Sequence, residues 1–360
     1  MMALDSVMSI LRLTDTISRI TSIPVSWPTS YRLAGFHGGF YANLRRLLEE
    51  DAVISPQQHK EAVIALQTVR DCLRFGESAL RAGEVFFGHG NDDPWDEALA
   101  LLMHTLSLPL HSDPRILDAR LLPSEVSDYL GLLCRRVNDR VPVPYLTHEA
   151  WFCGLPFYVD ERVLIPRSPL AELIEQSFTP WVEPGQVHAV LDLCTGSGCI
   201  AIACAYAFEQ ARVDGSDISE EALAVCEDNI RRHGLEGQVR ALHSDGLAQM
   251  DGPYDLIVSN PPYVDAQDMA SLPDEYRHEP ELALASGDDG LDFTRRLLRE
   301  APDKLTEHGV LIVEVGNSWE AMVNQWPQVP FFWFEFERGG HGVFMLTRQQ
   351  LLEYREQFSS

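Results

Sequence analysis

The sequence predicts an α/β fold: a doubly wound, mostly parallel sheet with an antiparallel edge hairpin, preceded by a small helical domain. Three observations predict it. From residue 187 onward, short apolar runs alternate with segments of helical periodicity. The first run, Val190-Leu191-Asp192-Leu193, ends in a glycine-rich turn that opens a helix of small residues. The stretch 330–347 is aromatic around Gly339-Gly340-His341-Gly342, the pattern of two strands about a turn.

Taken in order, the chain begins with a segment unlike the rest. Residues 1–48 hold five arginines against two aspartates and no glutamate, a charge of +3. A transit peptide has such a composition. The simpler expectation is that 1–55 is an extension outside the fold, a disordered tail or the product of an upstream start. From 57 to 148 the pattern is helical. Ala62, Leu66, Val69 and Leu73 recur at helical spacing, as do Leu99, Leu102, Met103 and Leu106. Asp93-Pro94 reads as an N-cap followed by a first-turn proline. Another helix is expected from Ser124, and Pro142 and Pro144 are expected to end helical structure. On residue pattern alone this domain is either a structural cap or a substrate-recognition module.

A linker, 149–168, carries a β-hairpin over 151–165, followed by a helix from Leu170 to Phe178. Residues 169–350 then form the α/β domain. Strands are expected at 188–193, 211–216, 238–242, 254–259 and 309–315, and helices at 199–208, 219–233, 290–306 and 318–325.

Composition narrows the function. With 45% hydrophobic and 23% charged residues, the chain has the make-up of a soluble globular protein. Its net charge is −26, and only two lysines occur, Lys60 and Lys304. Beyond the basic start, residues 49–360 carry −29. Such a surface repels nucleic-acid phosphates and attracts basic partners, though a generally acidic proteome, as in salt-adapted organisms, explains it equally well. The seven cysteines form no C-x-x-C pair and sit among apolar residues, as reduced thiols in a cytoplasmic protein do. No run is long enough to span a membrane, no secretory signal is visible, and no metal site is expected.

The candidate chemistry lies at successive strand ends. Asp192, Thr195, Gly196, Ser197 and Gly198 form the first turn, where glycines admit close backbone approach and the helix start offers N–H groups. Ala201 stands where the strict G-x-G-x-x-G has its last glycine, so a tight β–α turn also explains the motif without a ligand. Asp217 ends the next strand, about 20 positions on. There an acid accepts both ribose hydroxyls of a nucleoside, unless it merely caps the helix that Ser219 can cap instead. Asp245, in Ser244-Asp245-Gly246, is placed to accept from an adenine amino group, unless it is an ordinary loop acid. Asn260-Pro261-Pro262-Tyr263 follows the fourth strand. Its prolines fix φ and withhold two N–H donors, which leaves acceptors beside an aromatic plate. That surface suits a planar group bearing an NH2.

Together these residues resemble a class I S-adenosylmethionine-dependent methyltransferase, a seven-stranded fold, of the group that methylates planar nitrogens. Residues 57–350 resemble the protein-(glutamine-N5) methyltransferases, related to the release-factor enzymes. Phe87-Gly88-His89-Gly90-Asn91-Asp92-Asp93-Pro94-Trp95-Asp96, Arg140-Val141-Pro142-Val143-Pro144-Tyr145-Leu146-Thr147 and Tyr276-Arg277-His278-Glu279-Pro280-Glu281-Leu282 fit the branch acting on the large-subunit ribosomal protein L-three. The release-factor branch follows Ile-Pro-Arg with Pro-Glu-Thr-Glu. Here Ile165-Pro166-Arg167 precedes Ser168-Pro169-Leu170. That branch also places an aromatic after the third-strand acid, where this chain has Gly246.

The resemblance implies S-adenosyl-L-methionine as cofactor, bound by the three strand-end motifs with Asn260, and a basic ribosomal protein as partner. It implies that Asn260, Pro261, Pro262 and Tyr263 are catalytic. The helical domain becomes substrate-recognising and 169–350 catalytic; Arg167, His278 and Glu279 either shape the pocket or, the simpler expectation, form surface or structural salt bridges. Alternatives are glutamine methylation of release factors and adenine-N6 methylation of nucleic acid, the latter disfavoured by the acidic charge. A non-catalytic assembly factor or a nicotinamide dehydrogenase fits the motif set less well.

Overall fold

The structure, a computed structural model, describes residues 52–91 and 93–359. Most of the expected N-terminal extension therefore lies outside the described residues. Its last residues do not belong to an extension. Ile54 is buried, and the Asn138 side chain bonds both its N–H and its carbonyl, so the helical core starts there.

Helices α1 (Pro56–Ala65), α2 (Val69–Ala82), α3 (Pro94–Leu106) and α4 (Pro123–Asn138) pack around one apolar cluster. Ser55 with Gln58 and Thr68 with Asp71 form capping boxes that satisfy the first N–H groups of α1 and α2. Asp93 caps α3 with Pro94 at its first position. Helix α4 begins one residue before Ser124, because Pro123 is favoured in a first turn and Glu125 accepts from Leu122 N at 2.7 Å. Pro142 and Pro144 correct the sequence reading more plainly. They open a short helix, α5 (Val143–Thr147), instead of ending one, since first-turn N–H groups need no helical partner.

Strands β1 (Ala150–Phe152) and β2 (Leu155–Phe157) form a shorter hairpin than expected. Residues 158–165 are not a strand, because side chains of the α/β domain take the backbone of both end residues. Asn229 bonds the N–H and carbonyl of Tyr158, and Glu279 accepts from Ile165 N. Helix α6 (Leu170–Glu175) stops before Phe178, where Ser177 and Phe178 turn left-handed.

The sheet comprises β3 (Ala189–Leu193), β4 (Arg212–Asp217), β5 (Val239–His243), β6 (Tyr254–Ser259), β7 (Leu305–Glu314), β8 (Phe332–Trp333) and β9 (Val343–Thr347). Its order is β5-β4-β3-β6-β7-β9-β8. The first five strands run parallel, and β9 lies antiparallel between β7 and β8. Helices α7 (Cys199–Ala207), α8 (Glu220–His233), α9 (Ala266–Ser271), α10 (Asp292–Glu300), α11 (Trp319–Gln325) and α12 (Arg348–Glu353) complete the domain. The sequence reading missed α9 and α12. It also ran the helix before β7 too far: Pro302 halts it, and β7 starts at Leu305. Residues 306–309 slip out of register between the pairs Tyr254–Leu305 and Leu256–Val310.

Alternate strand residues enter different cores. Val190, Val213, Leu256 and Ile312 face one cluster with α7, while Leu191, Ile257, Leu311 and Phe344 face the other with α10. Burial on both faces explains why the strands read as continuous apolar runs. The helical residues and the sheet form one compact unit. Ala222 and Val225 of α8 join the helical core. Arg136, 1% exposed, donates to Glu97 at 2.7 Å, to Glu275 at 3.1 Å and to the Phe86 carbonyl at 2.7 Å.

Candidate active site

The carboxyl ends of β3, β4, β5 and β6 meet at one rim, where open α/β sheets bind ligands. There a narrow cavity of about 190 Å³ is lined by Gly196, Asp217, Asp245, Asn260 and Pro262, among others. Four motifs that are far apart in the chain therefore converge.

The remaining residues of the first turn stand behind the lining. Asp192 is wholly buried, and its Oδ2 accepts from Thr195 Oγ1 at 2.5 Å and from Ala201 N at 3.0 Å. Burial pushes its carboxyl up to about 7, against those two donors. Asp192 and Thr195 thus hold the loop that presents Gly196. Gly198 has φ +81°, and a Cβ there would meet Cys226 Sγ at 2.6 Å. Asp192, Thr195, Ser197 and Gly198 build the turn and do not line the cavity.

Asp217 accepts from Gly196 N at 3.0 Å and from Ser219 N at 2.9 Å. Ser219 itself caps α8, accepting from Ala222 N. Burial raises the Asp217 carboxyl above its ordinary range, although the backbone donors oppose the shift. Asp245 is half exposed and pairs with Arg296, whose guanidinium lies over Gly246. The aromatic absent at Gly246 has a counterpart in the fold: Phe293, with Ile218 and Leu282, lines the same cavity.

The Asn-Pro-Pro-Tyr turn is anchored at both ends. Ser259 Oγ donates to the Leu193 carbonyl at 2.6 Å, and Ser318 Oγ donates to the Tyr263 carbonyl at 2.7 Å. Asn260 Oδ1 is buried yet has no hydrogen-bond partner. Such an orphan acceptor is rare in a folded protein and asks for a donor from outside it.

Tyr263 does not line the cavity with Asn260 and Pro262. Its hydroxyl donates to Glu314 Oε1 at 2.9 Å, and Ser168 Oγ donates to Glu314 Oε2 at 2.5 Å. Burial raises the Glu314 carboxyl and, further, the Tyr263 phenol. Gly316, at φ +46°, leaves room for the ring, since a Cβ there would lie 2.6 Å from Tyr263 Cε2. Glu314 was not singled out in the sequence reading. The one available signal was an acid closing the fifth apolar strand.

Arg167 and Glu279 form a bidentate pair at 2.5 and 2.7 Å, under Tyr276. Burial pushes the Glu279 carboxyl up, but the Arg167 guanidinium outweighs it and holds the group down at about 2. His89 Nε2 lies 3.5 Å from Glu279 Oε2, an ion-pair distance without hydrogen-bond geometry. His278 stands apart, half-buried, with Nε2 2.9 Å from the Asp139 carbonyl.

The Methyltransferase small domain family matches residues 176–274. A protein of Francisella tularensis named ribosomal protein uL3 glutamine methyltransferase is 46% identical over 84% of this chain and 98% of its own. One of the same name from Neisseria gonorrhoeae is 48% identical over 81% of this chain and 98% of its own. A methyltransferase structure from Pyrococcus furiosus aligns at 19% identity and a TM-score of 0.40, over 54% of this chain and 89% of that one.

Proposed function

Because the chain belongs to the family of ribosomal protein uL3 glutamine methyltransferases, we propose that its Asn-Pro-Pro-Tyr turn holds a uL3 glutamine for N5-methylation. The protein is a protein-glutamine N-methyltransferase of the class I fold. The observation that carries the site assignment is the buried, unpartnered Asn260 Oδ1 at the rim of the cavity. A primary amide brings the donors that this acceptor lacks.

The lining of the cavity suits S-adenosylmethionine, whose sulfonium would supply the methyl group when bound. Asp217 would accept from the ribose hydroxyls, Gly196 would allow close backbone approach, and Asp245, which Arg296 also engages, would accept from the adenine amino group. Ile218 and Phe293 would give the adenine apolar walls.

A glutamine amide nitrogen is a poor nucleophile, because its lone pair is shared with the carbonyl. Asn260 Oδ1 and the Pro261 carbonyl hold its two N–H bonds and so fix the nitrogen. Positioning of this kind supplies at most on the order of 7–11 kcal/mol. The same acceptors stabilise positive charge as it grows on nitrogen. No strong base is needed, since the nitrogen loses its proton readily once it carries that charge. Pro262 walls the cavity, and behind it Ser168 and Glu314 fix the Tyr263 ring through its hydroxyl.

The partner is a basic ribosomal protein, drawn by the acidic surface. We place the reaction in the cytoplasm. All seven cysteines are free thiols, and no helix among the described residues is long and apolar enough to cross a membrane. Mass spectrometry of ribosomal proteins and release factors from a deletion strain tests the reading. It predicts loss of one methyl group from uL3 alone; loss from a release factor instead contradicts it.

A further inference from the structure

A second cleft lies outside the methyl-transfer site. It has a volume of about 770 Å³ and runs between the end of α3, helix α5 and strand β1. Two sequence segments that the chemistry above leaves unused form its walls: His89-Gly90-Asn91, and Val143-Pro144 with Thr147. Its surface is open and mixed, with apolar residues beside His104, His111 and Glu149. Leu108, Leu110 and Trp151 line it at 37%, 42% and 55% exposure. Exposed apolar groups gathered in one groove mark an interaction site.

The pairing of Glu149 with Trp151 in the cleft points to one kind of occupant. Trp151 stands at the centre of β1, and its indole N–H donates to Glu149 Oε1 at 3.0 Å. The hydrogen bond fixes an aromatic plate beside a carboxylate. Glu149 makes no ion pair with an arginine or lysine among the described residues. A fixed aromatic face next to an uncompensated carboxylate suits a lysine or arginine side chain, through cation–π attraction and charge pairing together.

The cleft also leads toward the methyl-transfer site. A neighbouring groove of about 550 Å³ shares Gly90, Trp151 and Pro166 with it and continues to Arg167 and Ser168. The cations of that groove are already engaged, Arg167 by Glu279 and Arg338 by Glu175. Ser168 bonds Glu314, which in turn holds Tyr263. Two hydrogen bonds therefore join the groove's end to the proposed amide platform.

We infer that this continuous groove docks an extended segment of the basic protein substrate, with a lysine or arginine flanking the target glutamine seated between Trp151 and Glu149. Apolar residues of the segment lie against Leu108 and Leu110. This deepens the uL3 reading and rests on it.

The test is steady-state methylation of purified uL3, together with calorimetry of S-adenosylmethionine binding. Trp151→Ala raises KM for the ribosomal protein about tenfold, with kcat within about twofold of wild type. Glu149→Gln raises KM about threefold and flattens its dependence on salt. Tyr206→Ala, an exposed aromatic on α7 away from the groove, leaves KM unchanged, and all three bind cofactor normally. Unchanged KM in both groove variants, with active wild-type enzyme, overturns the docking inference alone. Wild-type enzyme that transfers no methyl group to uL3 overturns the glutamine reading and this inference with it.

Discussion

At the scale of single residues, the cavity at the sheet rim is lined by strand-end groups held by residues one step behind them. The strand-end groups were legible because each follows an apolar run directly, and loops at that rim carry little but function. Glu314 was not legible. It bonds a tyrosine 51 positions away, and no local pattern announces a contact across that separation. The same holds for Phe293, which supplies from α10 an aromatic wall that the chain lacks at Gly246. Glu314→Ala removes the acceptor of two buried hydroxyls, at about 1–3 kcal/mol for each. We expect kcat to fall with cofactor affinity retained, and Glu314→Gln, which still accepts from Tyr263, to keep more activity. Equal kcat in Glu314→Ala and wild type, by single-turnover assay, contradicts the positioning role.

At the scale of elements, the sheet was read well and its joins poorly. Strand existence follows from two-sided burial, which writes unbroken apolar runs into the sequence. The joins depend on partners that sequence spacing does not reveal. Residues 158–165 read as a strand, but Asn229 and Glu279 satisfy that backbone from other elements. Glu279 ties the linker to the segment after α9 through both Ile165 and Arg167. Its carboxyl is held down at about 2, against an ordinary 4.5. A lowered native value means that the unfolded chain takes up the proton first as acid is added. The stabilisation is full above pH 4.5 and is lost as pH falls through about 2. Its size is on the order of 3 kcal/mol. Glu279→Gln should lose most of it at neutral pH and flatten the acid limb, as urea midpoints across the acid range will show. An unchanged acid limb in the variant contradicts the assignment.

At the scale of the whole molecule, charge and burial combine to make one working unit. The helical residues read from sequence as a separate module, yet their core takes in Ala222 and Val225 of the sheet domain. Arg136 anchors the junction between two carboxylates, Glu97 and Glu275, all three nearly inaccessible. Arg136→Ala leaves both acids buried and uncompensated. A loss of about 3–5 kcal/mol is expected, seen as a lower denaturant midpoint for the whole described fold; a small loss confined to the helical residues contradicts a shared core.

The central claim is that an orphan acceptor on Asn260 receives the glutamine amide while Asp217 serves the cofactor. The most direct measurement is single-turnover methyl transfer to uL3 by Asn260→Ala, alongside calorimetric cofactor binding and the same pair of assays on Asp217→Ala. Asn260→Ala should abolish transfer with cofactor affinity largely intact, and Asp217→Ala should instead weaken cofactor binding. Near wild-type transfer in Asn260→Ala contradicts the account.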